Sequence, residues 1–349
     1  MSPSPQAQLR GIESELIDIP TTSLIVSRIA LGTWAMGGWM WGGSDETQSI
    51  KTIREALDLG INLIDTAPVY GFGVSEEIVG KALAGVRSSV CIATKVGLEW
   101  RDGKPYRNAT RARIRTEIND SLRRLRTDYI DIYQVHWPDP LVPVEETAEA
   151  MHELYQQGKI RAIGVSNFSV AQIQAFGRVA PVHVVQSPYN LFERGIEAEL
   201  LPYCRRNGIA TFGYGALCRG LLSGRMRPDS SFAGDDLRRL DPKFQPPRFS
   251  QYLTAVAQLD QLAQRLYNKH VIQLAVRWIL DQGVSVALWG ARHPEQLRDT
   301  HALTGWSLDS PTRASIDQIL ESTITEPIGP EFMAPPERIT PASSQETHT

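Results

Sequence analysis

Four side chains of complementary chemistry occur at or just past the ends of short apolar runs: Asp65, Tyr70, Lys95 and His136. A phenol can exchange its proton with an oxygen atom, and a lysine cation beside it stabilises the phenolate and lowers its pKa. A carboxylate can hold the lysine by a charge-assisted hydrogen bond, and an imidazole can orient a polar substrate. Together these residue types suit the transfer of one proton to or from an alcohol oxygen.

The elements that must position these side chains are parallel strands. In a parallel α/β barrel, side chains at the carboxyl ends of different strands converge on one mouth, although they are far apart in sequence. Strand-like runs alternate here with helical patterns, which is typical of βαβ units. The runs are residues 28–31, 61–64, 90–94, 129–135, 161–165, 182–186, 209–212 and 284–288. Eight such strands with helices between them predict a (β/α)8 barrel.

Helical periodicity fills the intervals between the strands. A helix from about Glu46 places apolar side chains on one face and stops at Gly60, the residue type most common just past a helix end. Ser169 follows the fifth strand as a candidate helix N-cap. Further helices are predicted around residues 76–83, 114–125, 144–158 and 200–206.

The interval between the seventh and eighth strands is abnormally long, from Tyr214 to Val284. Long loops in compact domains are more often functional than accidental. Because this one follows a barrel strand, it emerges on the mouth, and we expect it to cover a ligand. Both chain ends are polar, so the predicted organisation is one barrel domain, residues 16–335, between a flexible N-terminal segment, 1–15, and a flexible C-terminal tail, 336–349.

Composition excludes several classes of function. The 349 residues include 36 Lys and Arg against 39 Asp and Glu, a net charge of −3, so no basic field favours nucleic acid or an anionic membrane. The three cysteines are scattered, which argues against a disulfide framework or a zinc site and suits a reducing compartment. The first residues do not resemble a signal peptide, and no apolar run has membrane-spanning length. We therefore expect a cytoplasmic protein.

The motifs in this order resemble those of the aldo-keto reductases. The resemblance covers nearly the whole chain, in residues 29–34, 65–71, 93–95, 135–139, 164–168 and 289–292. Within that family the chain is most similar to the bacterial branch of general stress protein 69 and the reductases of inositol-catabolism operons, whose closing segment resembles residues 328–336. The expected fold class is α/β: a (β/α)8 TIM barrel with an N-terminal β-hairpin cap and a long active-site loop after strand 7.

The resemblance implies reversible reduction of aldehydes and ketones to alcohols with NADPH/NADP as the cofactor. It assigns the catalytic tetrad to Asp65, Tyr70, Lys95 and His136, with Tyr70 as the general acid in reduction and the base in oxidation. No complete G-x-G-x-x-G pattern lies between a strand and a helix, because the pattern begun by Gly71 lacks its third glycine. That absence argues against a Rossmann-type dehydrogenase.

The resemblance also implies a cofactor site. Ser166, Asn167 and Gln186 would hold the nicotinamide carboxamide, and Tyr214 would stack on the ring. Arg292 bears most on the choice between NADPH and NADH, since a guanidinium can bind a 2′-phosphate bidentately. The full set of cofactor-binding candidates is Gly32, Thr33, Trp34, Asp65, Ser166, Asn167, Gln186, Tyr214, Gly215, Ala216, Leu217, Arg219, Gly220, Gly290, Arg292 and Gln296.

Aromatic side chains near the first and fourth strand ends could line a substrate pocket. The substrate-binding candidates are Trp34, Tyr70, His136 and Trp137, whereas Trp39 and Trp41 either join them or pack at the mouth. Such walls suit aliphatic or aromatic aldehydes, small hydroxy-aldehydes and sugars alike. No histidine has a second ligand at metal-binding spacing, so no metal site is predicted.

Two other functions stay open from sequence alone. One is a nucleotide-binding redox sensor of the channel β-subunit type, with little turnover and a stable partner. The other is a sugar-phosphate lyase or isomerase in which Lys95 forms a Schiff base. For the reductase we expect a small-molecule carbonyl or alcohol substrate and no nucleic acid, membrane or obligate protein partner.

Overall fold

Eight parallel strands close into a barrel in the computed structural model, which describes residues 15–338. In chain order they are β1 (Ile29–Gly32), β2 (Leu63–Asp65), β3 (Cys91–Val96), β4 (Ile130–Val135), β5 (Ile160–Ser166), β6 (Val184–Pro188), β7 (Ala210–Tyr214) and β8 (Val286–Gly290). Strand β8 pairs with β1, which completes the ring. Each predicted run overlaps one of these strands, so the predicted (β/α)8 barrel is confirmed.

Helices follow the strands and cover the outside of the barrel. They are α1 (Glu46–Asp58), α2 (Val74–Ala82), α3 (Arg111–Leu125), α4 (Val144–Gln156), α5 (Val170–Gly177), α6 (Leu200–Arg206), α7 (Arg248–Tyr267), α8 (Val271–Asp281) and α9 (Ser310–Thr323). Ser169 caps α5 in a reciprocal capping box with Gln172, as its position predicted. Within residues 15–338, no helix is long and apolar enough to cross a membrane.

An N-terminal hairpin closes the end of the barrel opposite the mouth. Its strands, Leu16–Asp18 and Ile25–Ser27, pair antiparallel. Ile19 and Val26 are fully buried and belong to the same apolar cluster as the barrel-interior side chain of Leu63. The predicted hairpin cap is therefore confirmed.

The long loop after β7 reaches the loop after β1. The Asp235 carboxylate accepts hydrogen bonds from the backbone N–H groups of Met40 and Gly42, at 2.7 and 3.1 Å. The N–H of Leu237 donates to the carbonyl of Met40 at 2.9 Å. These contacts fasten the loop at the mouth, where its position in the chain predicted it.

A second hairpin, absent from the sequence prediction, follows β3 and holds the C-terminal segment. Its strands, Leu98–Arg101 and Lys104–Arg107, flank a two-residue Asp-Gly turn with both residues at positive φ, a signal that the sequence does contain. Arg107 binds the carbonyl groups of Pro335 and Pro336, both at 2.9 Å.

The predicted boundary between domain and tail, residues 335–336, falls inside this docked segment. Arg338 also contributes, because its guanidinium lies 3.1 Å from the Asp139 carboxylate. Residues 1–14 and 339–349 lie outside the described part of the chain.

A buried ionic network joins α2, α3 and β3. Glu76 and Glu117 have no exposed surface, and the Arg124 guanidinium binds both carboxylates, Glu76 at 2.6 Å. Arg113 pairs with Glu117, and the Thr94 hydroxyl donates to Glu76 at 2.6 Å. Thr94 directly precedes Lys95, so this network fixes the backbone that presents Lys95.

Replacing Arg124 should destabilise the barrel strongly. In Arg124→Met, the partners left among residues 15–338 are Thr94 for Glu76 and Arg113 for Glu117, so buried negative charge is left undercompensated. We expect the free energy of unfolding in urea to fall by about 3 kcal/mol. Arg123→Met is the matched control, because Arg123 lies on the same helix with 73% of its side chain exposed, and we expect almost no change there. Equal effects in the two variants would contradict the importance of the network.

Candidate active site

Lys95 is the centre of a four-residue cluster at the barrel mouth. Its Nζ lies 2.9 and 2.8 Å from the two carboxylate oxygens of Asp65, 2.9 Å from the Thr66 carbonyl and 3.2 Å from the Tyr70 hydroxyl. Lys95 and Asp65 are both buried. The ring of His136 meets the ring of Tyr70 edge-on, with centroids 5.8 Å apart. The structure thus brings together all four side chains predicted from the strand ends.

The register of the barrel strands determines the positions of three of these four side chains. Asp65 is the last residue of β2 and pairs with Ala93 of β3. Lys95 lies two residues beyond Ala93 and therefore on the same face of the strand, one step closer to the mouth. His136 follows β4 directly, and its backbone N–H donates to the Val96 carbonyl at 2.8 Å.

Tyr70 lies in the turn between β2 and α2, where a close backbone crossing holds it. Gly71 has a φ of +67°, and a Cβ there would come within 2.0 Å of the Gly37 carbonyl oxygen, so only glycine fits. The crossing packs the turn against the loop after β1. As a result, the rings of Trp34 and Tyr70 stack with centroids 5.9 Å apart.

The pKa of Tyr70 is raised well above its usual value, first by burial and then by the negative charge of Asp65. The sequence led us to expect a lowered pKa, from the lysine cation beside the phenol. The direction differs because Asp65 neutralises Lys95 at close range, while burial disfavours the phenolate. At neutral pH Tyr70 is therefore a protonated phenol, the form that donates a proton.

The other two titratable groups respond to the same burial. Burial lowers the pKa of Lys95, and the carboxylates of Asp65 and Glu76 oppose that effect. Burial, and then the charge of Lys95, lower the pKa of His136 well below its usual value. His136 is therefore a neutral imidazole with one N–H donor and one acceptor nitrogen.

Aromatic rings line the mouth on two sides. Trp34 contacts Trp41 edge-on, with centroids 5.5 Å apart, so Trp41 belongs to the wall that includes Tyr70. Trp39 packs on Phe72 at 5.0 Å. Trp137 lies under the Arg107 guanidinium, 5.3 Å from its ring centroid. Of these, Phe72 and Arg107 were missed from sequence, since an isolated aromatic or cationic residue carries no positional signal.

The carboxamide candidates lie on neighbouring strands beside the cluster. Asn167 donates to the Ser166 hydroxyl at 3.0 Å and accepts from the Tyr214 hydroxyl at 3.0 Å. Gln186 donates to Asp65 at 2.9 Å. Three of the side chains are thus joined by hydrogen bonds, and Gln186 pairs with Ser166 through the backbone of β5 and β6.

The first-strand candidates are held by the barrel itself. Gly32 pairs with Asp65 on one side and with Gly290 on the other. The Thr33 hydroxyl donates to the Asp65 carbonyl at 2.9 Å.

The candidate loop after β7 rests on buried charges that the sequence prediction missed. The Arg219 guanidinium pairs with Glu193 and Asp241, both at 2.5 Å, so its side chain is committed to the protein. The backbone turns tightly at this point, with the N–H of Gly220 donating to Leu217 at 2.9 Å. At Arg219, the main chain is therefore the candidate for ligand contact, as it is in the rest of the loop, residues 215–220.

The candidates after β8 also have internal partners. Arg292 donates to the carbonyl groups of Trp41 and Gly43, both at 2.7 Å. The Gln296 side chain accepts from the N–H groups of Arg292 and His293, at 2.7 and 3.0 Å. A guanidinium has five N–H donors, so Arg292 keeps donors for a further anion.

The sequence and the fold were compared with known proteins. A model of the Aldo/keto reductase family matches residues 28–321. The chain is 62% identical over 327 residues to aldo-keto reductase YhdN of Bacillus subtilis (strain 168), covering 93% of this chain and 99% of YhdN. It is 38% identical over 323 residues to the NADH-specific methylglyoxal reductase of Escherichia coli (strain K12), covering 88% of this chain and 98% of that protein. The structure of glycerol dehydrogenase AKR11B4 from Gluconobacter oxydans superimposes with a TM-score of 0.84 at 51% identity, covering 93% of this chain and 100% of that one.

The closed barrel of eight parallel strands matches the whole length of the AKR11B4 structure. The protein is therefore a TIM-barrel protein. The family match extends over most of the chain, and the chain belongs to the aldo/keto reductase family. Members of this family are oxidoreductases that act on carbonyl compounds with a nicotinamide cofactor. The family inferred from the motifs is therefore confirmed.

The low pKa of His136 predicts how stability changes in acid. An unfolded histidine takes up a proton near pH 6.5, whereas the folded ring resists it. The stability that the neutral His136 ring contributes is fully present above pH 6.5. It is lost as the pH falls from 6.5 through the lower pKa of the folded state. Between about pH 7 and pH 5, His136→Gln should lose less stability than wild type, by up to about 2 kcal/mol.

Urea unfolding at both pH values measures the difference. His301→Gln, a change at an exposed ring, is the control and should follow wild type. An identical acid loss in wild type and His136→Gln would show that the His136 ring accepts a proton in the folded protein.

Proposed function

We propose that this protein catalyses the reversible, NADPH-dependent reduction of aldehydes or ketones to alcohols. The observation that carries the proposal is the contact between the Tyr70 hydroxyl and the buried Lys95–Asp65 pair, 3.2 Å from oxygen to Nζ. Bound NADPH supplies a hydride from its nicotinamide C4 to the carbonyl carbon. The chain supplies the proton that the carbonyl oxygen then needs.

Tyr70 is the proposed proton donor. Its high pKa keeps the phenol protonated at neutral pH, and an alkoxide is basic enough to take that proton. The phenolate left behind lies beside the Lys95 ammonium, which stabilises it in a site with little water. Asp65 keeps Lys95 charged and in place by accepting hydrogen bonds from Nζ on both of its oxygens. In alcohol oxidation the same groups act in reverse.

His136 is the proposed orienting group. Its neutral imidazole can donate an N–H to the carbonyl oxygen without competing for the transferred proton. The ring lies edge-on to Tyr70, so one substrate oxygen can contact both side chains. Such positioning contributes to the rate by holding the carbonyl in a reactive geometry.

The cofactor is proposed to extend from Asn167 to Arg292. The amide and hydroxyl groups of Ser166, Asn167 and Gln186 have the donors and acceptors that a carboxamide needs, and the Tyr214 ring lies beside them. The main chain of residues 215–220 would follow the pyrophosphate. Gly290, Arg292 and Gln296 would meet the adenosine end, with Arg292 offering its remaining donors to a 2′-phosphate.

Small carbonyl compounds are the proposed substrates. Trp34 and Trp137, with Tyr70 and His136, are proposed to line a pocket with the polar groups of the cluster at its bottom. Similar proteins act on methylglyoxal and on glycerol, by their names. These compounds and glyceraldehyde are therefore the first to test.

The Schiff-base alternative is disfavoured by the state of Lys95. Its ammonium is fully buried and hydrogen-bonded to both Asp65 oxygens, whereas a Schiff base requires a free amine that a substrate can reach. The sensor alternative differs from the reductase in turnover, which the following experiment measures.

Removing the Tyr70 hydroxyl should abolish turnover and leave cofactor binding intact. We expect Tyr70→Phe to lower kcat/KM for methylglyoxal or glyceraldehyde by about a thousandfold, the scale of a lost general acid. NADPH consumption, followed by its absorbance, gives the rate, and fluorescence titration gives the NADPH dissociation constant. Tyr133→Phe is the matched control, since the Tyr133 hydroxyl is buried and has no hydrogen-bond partner within the described residues.

Two results would reject the proposal. Full turnover in Tyr70→Phe would mean that another group donates the proton. Tight NADPH binding by the wild type with no turnover across the carbonyl panel would favour the nucleotide sensor, and the search would turn to a protein partner.

Arg292 tests the cofactor preference. We expect Arg292→Ala to weaken NADPH binding by about tenfold or more, the scale of lost charged hydrogen bonds, with a smaller effect on NADH. The substitution also removes the hydrogen bonds from Arg292 to Trp41 and Gly43, and that change would weaken the binding of NADPH and NADH alike. Arg298→Ala, at an exposed arginine of the same segment, is the control. Equal losses for NADPH and NADH would reject a 2′-phosphate contact at Arg292.

A further inference from the structure

The hydroxyl of Ser75 lies at a junction of three elements behind the catalytic cluster. Ser75 is the second residue of α2 and is fully buried. Its Oγ lies 2.8 Å from the Thr33 hydroxyl, 3.1 Å from the Thr33 carbonyl and 3.0 Å from the Thr66 hydroxyl. Thr33 follows β1 and Thr66 follows β2. The side chain thus joins the mouth ends of two strands to the start of a helix.

These contacts are not an ordinary helix cap. The N-cap of α2 is Gly73, and no side chain caps that helix. In the described part of the chain, the partners of the Ser75 hydroxyl all lie outside α2. The hydroxyl therefore contributes to the relative placement of elements rather than to the start of α2.

The Thr66 hydroxyl depends on Ser75 for its hydrogen bond. Among the described residues its partner is Ser75 Oγ, at 3.0 Å. The Ser75 hydrogen has two acceptors on Thr33, the carbonyl at 3.1 Å and the hydroxyl at 2.8 Å, and the Thr33 hydroxyl contacts the Asp65 carbonyl at 2.9 Å. Because buried polar groups are nearly always paired, these bonds form a hydroxyl chain from Thr66 through Ser75 and Thr33 to the backbone of Asp65.

Each end of this chain touches the catalytic cluster. The Asp65 carbonyl receives the last hydrogen bond, and the Thr66 carbonyl accepts from Lys95 Nζ at 2.9 Å. The backbone N–H of Ser75 donates to the Tyr70 carbonyl at 3.1 Å. Ser75 therefore contacts the Tyr70 carbonyl directly and is linked through Thr33 to the Asp65 backbone, and through Thr66 to the residue whose carbonyl binds Lys95.

We infer that Ser75 is a positioning residue for the tetrad, which sets the contact between the Tyr70 hydroxyl and Lys95 through the hydroxyl chain from Thr66 to Asp65. The inference rests on the proposed function only for its effect on catalysis. A shift of even 1 Å in such a site can cost about a hundredfold in rate. Ser75 itself touches no reacting group.

Ser75→Ala removes the middle of the chain and leaves the Thr66 hydroxyl without its acceptor. We expect kcat to fall by about tenfold to a hundredfold, while the KM for NADPH stays within about twofold, because the contacts proposed for the carboxamide and the adenosine end come from β5, β6 and the segment after β8. Ser121→Ala is the matched control: Ser121 is equally buried, on α3, and its hydroxyl has no partner among the described residues. It should keep wild-type kcat.

The pH dependence separates positioning from a loss of folded protein. Burial keeps the pKa of Tyr70 high, and a loosened turn admits water. In Ser75→Ala the alkaline fall of kcat should therefore move to lower pH, which a smaller fraction of folded enzyme would not produce. Thr66→Val removes the hydroxyl at the start of the chain and leaves no hydroxyl hydrogen unpaired, so it is the second variant if Ser75→Ala folds poorly. In Thr66→Val we expect the same shift of the alkaline fall to lower pH, with a smaller loss of kcat.

The outcomes distinguish this inference from the proposed function. The rates are expressed per cofactor-binding site. Suppose that Tyr70→Phe loses turnover, whereas Ser75→Ala and Thr66→Val keep the wild-type kcat and its pH profile. The inference about Ser75 is then overturned, and the proposed function stands. If the wild type has no Tyr70-dependent turnover, the proposed function fails, and crystal structures decide the inference. A Tyr70–Lys95 distance that lengthens from 3.2 Å beyond hydrogen-bond range in Ser75→Ala supports it, and an unchanged distance overturns it.

Discussion

The buried ion pair between Lys95 and Asp65 is the interaction on which the rest of the site depends. Two opposite charges are withdrawn from water there, which is tolerable only where each has close partners of good geometry. Lys95 binds both Asp65 oxygens and the Thr66 carbonyl, and Asp65 also accepts from Gln186. Gln186 comes from β6, across the mouth, so only a closed barrel assembles this set. Burial first, and then the charges of Asp65 and Lys95, raise the pKa of Tyr70 and lower the pKa of His136, so that both side chains are neutral.

The same requirement organises the loops around the mouth. Arg219 pairs with Glu193 and Asp241, while Lys243 lies 2.9 Å from Glu193 and donates to the Gly329 carbonyl at 3.2 Å. These four side chains, two cations and two anions, are all buried. They come from the segments after β6 and β7, including the long loop, and they also hold the C-terminal segment. The backbone proposed for the pyrophosphate thus has a rigid support, which suits a loop whose own residues 218 and 219 have strained, positive φ angles.

The loop after β1 connects the two ends of the proposed cofactor site. Arg292, at the adenosine end, binds the carbonyl groups of Trp41 and Gly43. The Trp41 ring packs on Trp34, and Trp34 stacks on Tyr70. One packed path therefore runs from the residue proposed for cofactor choice to the proton donor. The aromatic wall proposed for the substrate pocket and the proposed cofactor contacts are parts of one structural unit.

The sequence by itself determined the barrel and the identity of the four central residues. Alternating strands and helices have few stable arrangements, and residues at the ends of parallel strands must meet. Local signals such as the Ser169 cap were also predicted from the sequence. The Asp-Gly turn of the second hairpin could have been predicted in the same way. Only the tertiary structure decided the direction of the Tyr70 pKa shift, the partners of Arg219 and Arg292 and the junction at Ser75. Those features depend on burial and on distances between residues far apart in the chain, and neither quantity is encoded in the local pattern of residues.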